Sequence, residues 1–184
     1  MMATRIDLTI AGVGGQGSIL AGNILGIAAV SYAGKYATQT QAYSSELRGG
    51  FAATWVIVSD KPILFPRVKN PDILVAQAQD SIERFSAVLK PEGTLIIDSD
   101  MVHEVPHAIG TVFKVPGTTI ARNQIKVPIT ANIVMLGALC KVTEVLDRTA
   151  FEQAIVQTVP EGKSEMNLKA FDLGYNQVTK SSNK

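Results

Sequence analysis

The stretch Ile10-Ala-Gly-Val-Gly-Gly-Gln-Gly-Ser18 follows an apolar run (Ile6, Leu8, Ile10) and leads into residues 18–32, which have the composition of a buried helix. Gly12, Gly14 and Gly17 fit the spacing G-x-G-x-x-G, with Gly15 added between them. Glycine lets the backbone turn sharply, lets a ligand approach the main chain, and leaves the N–H groups of a helix start facing an anion. Gly12, Val13, Gly14, Gly15, Gln16, Gly17 and Ser18 are therefore the candidate phosphate cradle. A plain alternative stands beside it: the same turn also serves simply to pack a helix tightly on its strand.

Two absences narrow the ligand. A dinucleotide site of the usual kind places an Asp or Glu about 20 residues beyond the glycines to hold a ribose, and no acidic residue occurs between Asp7 and Glu46. An NAD site is disfavoured. Ser18 follows Gly17 directly, with no Gly-Lys-Ser/Thr, so the NTPase reading falls away. At 184 residues the chain reads as one domain over 1–175 with a polar tail over 176–184, expected to be disordered. A net charge of +1 with 18% charged residues argues against a broad nucleic-acid surface. The N-terminus lacks a signal-type apolar region and no run of 18 apolar residues is unbroken, so a cytoplasmic protein is expected. Cys140 is the only cysteine, in an apolar setting that suits a core thiol in a reducing compartment.

Outward from the glycine stretch, the helix over 18–32 carries apolar residues around most of its circumference and should be buried on more than one side, with Gly34 as its stop. Residues 36–50 are polar and lack hydrophobic periodicity, which reads as a loop; its place near the mouth of the cradle favours a binding loop, with Arg48 as the strong anion donor. Residues 51–59 form a strand, and 63–65 a brief further one. Strand 72–76, amphipathic helix 77–90 and strand 94–97 ending at Asp98 follow, then strand 111–115 and amphipathic helices over 132–142, 149–159 and 165–173. The alternation predicts an α/β fold: three layers, α/β/α, around a mainly parallel sheet in which some mixed order is open. His103 and His107 lie four apart, but Pro106 intervenes and no third ligand is near, so no metal site is expected.

Three blocks together carry more than the glycines alone. Gly12-Val-Gly-Gly-Gln-Gly17, Gln39-Thr-Gln-Ala-Tyr43 with Glu46-Leu-Arg-Gly-Gly50, and Asp98-Ser-Asp100 resemble the gamma subunit of the 2-oxoacid:ferredoxin oxidoreductases, most of all the 2-oxoglutarate type. Asn167-Leu-Lys-Ala170 extends the resemblance to nearly the whole chain. One departure is Ser44-Ser45 where that family has Gly-Pro. The resemblance implies a fold like domain III of pyruvate:ferredoxin oxidoreductase, and a complex that uses thiamine diphosphate with Mg²⁺, an iron–sulfur cluster and CoA to convert a 2-oxoacid, CoA and oxidised ferredoxin to acyl-CoA, CO2 and reduced ferredoxin.

The residues limit this chain's share. It lacks the Gly-Asp-Gly of a thiamine diphosphate site, and one cysteine cannot ligate a cluster. Those cofactors are expected on partner subunits, with no catalytic residue here and no activity in isolation. CoA is the ligand the resemblance implies for the cradle, with Thr38, Gln39, Gln41 and Arg48 behind it or facing the thiamine-bearing subunits. Self-association of the isolated chain through apolar surface is expected too. Alternatives are a subunit for indolepyruvate, pyruvate or a branched-chain 2-oxoacid, a free-standing nucleotide-binding module, or a scaffold whose glycine turn only packs a helix.

Overall fold

The structure is a computed structural model and describes residues 5–44, 50–106 and 109–181. Strand β1 (Arg5–Val13) alternates Leu8 and Ile10 toward one face with Thr9 and Ala11 toward the other, and all four are buried. Neighbours on both edges explain that: β3 (Phe51–Ser59) pairs antiparallel to it and β4 (Ile73–Ala76) parallel. With β2 (Tyr36–Tyr43), β5 (Thr94–Asp98), β6 (Thr111–Val115) and β7 (Thr179–Lys180) the sheet has seven strands in the order β2-β3-β1-β4-β5-β6-β7. The sheet is mixed: β1, β2, β4, β5 and β6 run one way, β3 and β7 the other.

The two covering layers are unequal. One face carries α1 (Ser18–Ile27), extended by a π-helical turn (Ala28–Tyr32), together with α4 (Ala131–Thr143), α5 (Arg148–Thr158) and α6 (Ser164–Gln177). Helix α3 (Gly117–Thr119), which continues as a π-helical turn (Ile120–Ile125), completes it. Here α4 is buried at every position from Asn132 to Cys140, so it is a core helix rather than the amphipathic one expected. Helices α4 and α6 approach backbone to backbone: a Cβ at Gly137 would strike Phe171 O, and one at Gly174 would strike Val134 O. Phe151 and Phe171 stack with ring centroids 5.7 Å apart, and truncating either would cost about 3–5 kcal/mol. The other face carries α2 (Gln79–Phe85) and residues 99–105, which close a smaller core around Leu74, Leu95, Ile97, Ile82 and Val102. Phe85 meets Trp55 edge-on at 5.9 Å.

Several expectations are corrected. Residues 36–43 form strand β2, not a loop: an edge strand needs one partner only, so its Thr and Gln side chains show no apolar alternation. Residues 63–65 are not a strand. The helix over 77–90 shrinks to Gln79–Phe85 with a 3₁₀ turn (Ser86–Val88), because Gln77 is committed elsewhere. The tail is built in as far as residue 181: residues 176–177 close α6, and β7 pairs Thr179 with Lys114 and Lys180 with Phe113. Residues 182–184 lie outside the described residues. Gly34 ends the helical run with φ 62°, as its place in the sequence indicates.

Candidate functional site

Strand order reverses at β1, whose onward connection runs to β2 and β3 on one side while β4, β5 and β6 follow on the other. In open α/β sheets the crevice outside the carboxyl ends of the strands at such a point is where ligands enter. The glycine loop lies there, and so does Gln77 at the end of β4.

The loop is held by a closed set of hydrogen bonds. Val13 N–H donates to Gln16 Oε1 at 2.8 Å, Gln16 Nε2 to Gln77 O at 3.0 Å, and Gln77 Nε2 back to Gln16 O at 3.3 Å. Ser18 Oγ donates to Gln77 Oε1 at 2.7 Å, and Asn132 Nδ2 from α4 donates to Gly17 O at 3.1 Å. Gly14 N–H donates to Gly50 O at 2.7 Å and Gln16 N–H to Val13 O at 3.1 Å. The side chains of Gln16 and Ser18, two residues of the expected cradle, fasten the loop to the sheet; Ser18 is 1% exposed. The N–H groups of Gly15 and Gly17 have no protein partner among the described residues, and the first-turn amides of α1 have none within the helix. Gly17 stands at φ 78°, and a Cβ there would come within 2.5 Å of Asn132 Nδ2.

An open cleft of about 310 Å³ borders this loop, lined by Gly15, Gln16, Met101, Thr118, Arg122 and Ile129 among others. Arg122 projects from the π-helical turn and has no hydrogen-bond or ion-pair partner among the described residues. The Gly15 main chain and the Arg122 guanidinium, both on its lining, make the cleft suited to a phosphate or diphosphate.

Asp98 and Asp100 of the Asp-Ser-Asp block have a different task. Asp98 Oδ2 accepts from Thr118 N (3.0 Å) and Thr118 Oγ1 (2.7 Å), and Asp100 Oδ2 accepts from Thr119 N (2.6 Å). Burial raises the Asp98 pKa, while the Thr118 hydroxyl pulls it back. Cys140 is buried as expected of a core thiol, and desolvation pushes its pKa up to about 11.

Of the second group of expected residues, Gln39 Nε2 donates to Ile19 O (3.2 Å) and Thr54 Oγ1 (2.9 Å), which ties β2 to the start of α1. Thr38 and Gln41 sit on the sheet edge, and none of the three lines the cleft. Arg48 lies outside the described residues, as does His107; among the described residues no cluster of three or more metal-ligating side chains occurs. Sequence reasoning missed Gln77, Asn132 and Arg122. Polar residues at the end of an apolar strand and at the head of an apolar helix were the available signals for the first two; nothing in the sequence singled out Arg122.

The profile of the pyruvate ferredoxin/flavodoxin oxidoreductase family matches residues 7–177. The chain belongs to this oxidoreductase family. It is 46% identical over 173 residues to 2-oxoglutarate synthase subunit KorC of Methanocaldococcus jannaschii, covering 93% of this chain and 92% of that one. Identity to ketoisovalerate oxidoreductase subunit VorA of Methanothermobacter thermautotrophicus is 34%, over 92% of this chain but 36% of the relative. The crystal structure of a keto/oxoacid ferredoxin oxidoreductase gamma subunit from Geobacter sulfurreducens shares the fold at TM-score 0.86 and 38% identity, covering 95% of this chain and 96% of that one. At 22% identity, and so for the fold alone, the same unit occurs within 2-oxoglutarate:ferredoxin oxidoreductase from Magnetococcus marinus, solved with 2-oxoglutarate, coenzyme A and succinyl-CoA bound (TM-score 0.82, 93% of this chain and 30% of that one).

Proposed function

We propose that this oxidoreductase-family chain is a non-autonomous subunit of a complex that converts 2-oxoglutarate, CoA and oxidised ferredoxin to succinyl-CoA, CO2 and reduced ferredoxin. Its task there is to bind CoA and to help assemble the complex. The observation that carries the reading is a cleft lined by both Gly15, whose amide has no partner among the described residues, and Arg122, which is likewise unpaired among them. Gln16, Ser18, Gln77 and Asn132 hold the loop rigid, so its amides are aimed before the ligand arrives. CoA presents a diphosphate that such donors match, and it is a ligand of the Magnetococcus marinus enzyme with the same fold. The 2-oxoglutarate assignment is supported by 46% identity to KorC against 34% to VorA.

Thiamine diphosphate with Mg²⁺ and the iron–sulfur cluster belong on partner subunits in this reading, since neither a Gly-Asp-Gly motif nor four cysteines exist here. That VorA and the Magnetococcus marinus chain are longer polypeptides containing this unit supports docking to a separate, larger subunit. The test uses the complex purified with its native partners. Arg122→Met should raise KM for CoA about tenfold, the scale of one lost charge-assisted contact, with kcat and KM for the 2-oxoacid unchanged. An unchanged KM for CoA would overturn the ligand role, and a chain that stays alone beside those partners would overturn the subunit role.

A further inference from the structure

The exposed edge of β2 is a self-complementary surface, and we propose that it pairs antiparallel with β2 of a second copy, on a two-fold axis through Thr40, joining two sheets into one. An open edge strand offers unpaired N–H and C=O groups, and proteins normally guard it with charge, proline or a bulge. This edge has none of these: between residues 36 and 45 no charged residue or proline occurs, and the β2–β3 register is unbroken from Tyr36 to Tyr43. Lys35, the single charged residue between Asp7 and Glu46, is held by Asp60 at 2.5 Å.

The hydrogen-bond parity fixes which residues face outward. Ser44 N–H donates to Phe51 O at 2.9 Å, continuing the β2–β3 register, so the even-numbered residues bond to β3. Ala37, Gln39, Gln41 and Tyr43 then turn their main-chain groups away from the sheet. Two identical antiparallel edges related by an axis normal to the sheet place like-facing residues opposite each other. Centred on Thr40, the register sets Gln39 against the second copy's Gln41, and Ala37 against the second copy's Tyr43, and it uses all four outward residues. Thr40 meets its own copy.

A second observation, independent of the main chain, selects the same register. A groove of about 270 Å³ runs between α1 and β2, lined by Asn23, Gly26, Ile27, Val30, Ala37 and Gln39 among others. A Cβ at Gly26 would meet nothing within 4 Å, so the space is open. Tyr43 is 68% exposed and lies on the groove's side of the sheet, the side to which Ala37 packs. Pairing Tyr43 with Ala37 delivers each copy's tyrosine to the other's groove and covers Val30, itself 54% exposed. A register centred on Gln39 would instead bring Tyr43 to Lys35 and leave the groove unfilled.

Sedimentation velocity on the full-length chain tests this, with thermal unfolding to confirm that each variant folds. At ~100 μM, where a micromolar dimer is largely formed, the wild type should sediment at twice 19.6 kDa. Thr40→Lys and Thr40→Glu should each be monomeric, because like charges meet on the axis, and an equimolar mixture should restore the dimer. Gly26→Phe, which fills the groove from within its own chain, should weaken the dimer at least tenfold. A monomeric wild type, or Thr40→Lys and Gly26→Phe dimers of wild-type affinity, would overturn the proposal. The test needs no CoA or partner subunit, so its outcome is separate from that of the CoA site.

Discussion

Two turns at the carboxyl ends of β1 and β6, separated by two strands in the sheet, border the same cleft and end up with opposite properties. The turn from β1 into α1 carries no acidic residue, and its Gly15 and Gly17 amides have no partner among the described residues. After β6, the turn into α3 presents amides of the same kind at Thr118 and Thr119, but the carboxylates of Asp98 and Asp100 accept from both. A helix start is an anion site only where the chain has not already supplied the anion. The missing acidic residues between Asp7 and Glu46 therefore matter as much as the glycines do.

The largest way to break the contrast is to deform the open turn. Gly17→Val puts a branched side chain at φ 78° against Asn132 Nδ2 and should destabilise the chain by about 3 kcal/mol, read as a lowered Tm. Gln77→Ala removes the acceptor of the buried Ser18 hydroxyl and should cost about 2 kcal/mol in thermal unfolding, while KM for CoA rises as the loop loosens. Arg122→Met acts on the rim alone, so its unfolding free energy should stay within about 0.5 kcal/mol of the wild type even as CoA binding weakens.

The closed turn gives the smallest effect, through pH. Burial raises the Asp98 pKa, so the folded chain holds that proton more tightly than the unfolded one. The stability this contributes is fully present below the ordinary carboxylate value and is lost as pH rises through the raised one. Asp98→Asn does not titrate. Its Tm relative to the wild type should therefore climb as pH rises from 3.8 through that window, and a flat difference would contradict a raised value.

Most of the sheet was legible, because β1, β3, β4 and β5 are largely buried and read as apolar runs of strand length, while Pro116-Gly117 marks the end of β6. β2 was not: an edge strand of Thr, Gln and Ala is fixed by backbone pairing with β3, which leaves no periodicity to read. The loop's position was legible from glycine spacing, but the fate of Gln16 and Ser18 was not. Their partner Gln77 is 61 residues from Gln16, and such a contact is set by the sheet order. Arg122 was hidden for the same reason, since only the fold brings its turn beside the glycine loop.

A structure of the assembled complex with CoA bound shows most directly where the phosphates of CoA rest. The diphosphate oxygens should lie within about 3 Å of the Gly15 and Gly17 nitrogens, with the Arg122 guanidinium against them. Phosphates bound elsewhere, with those two amides left to solvent, would contradict the proposed CoA site.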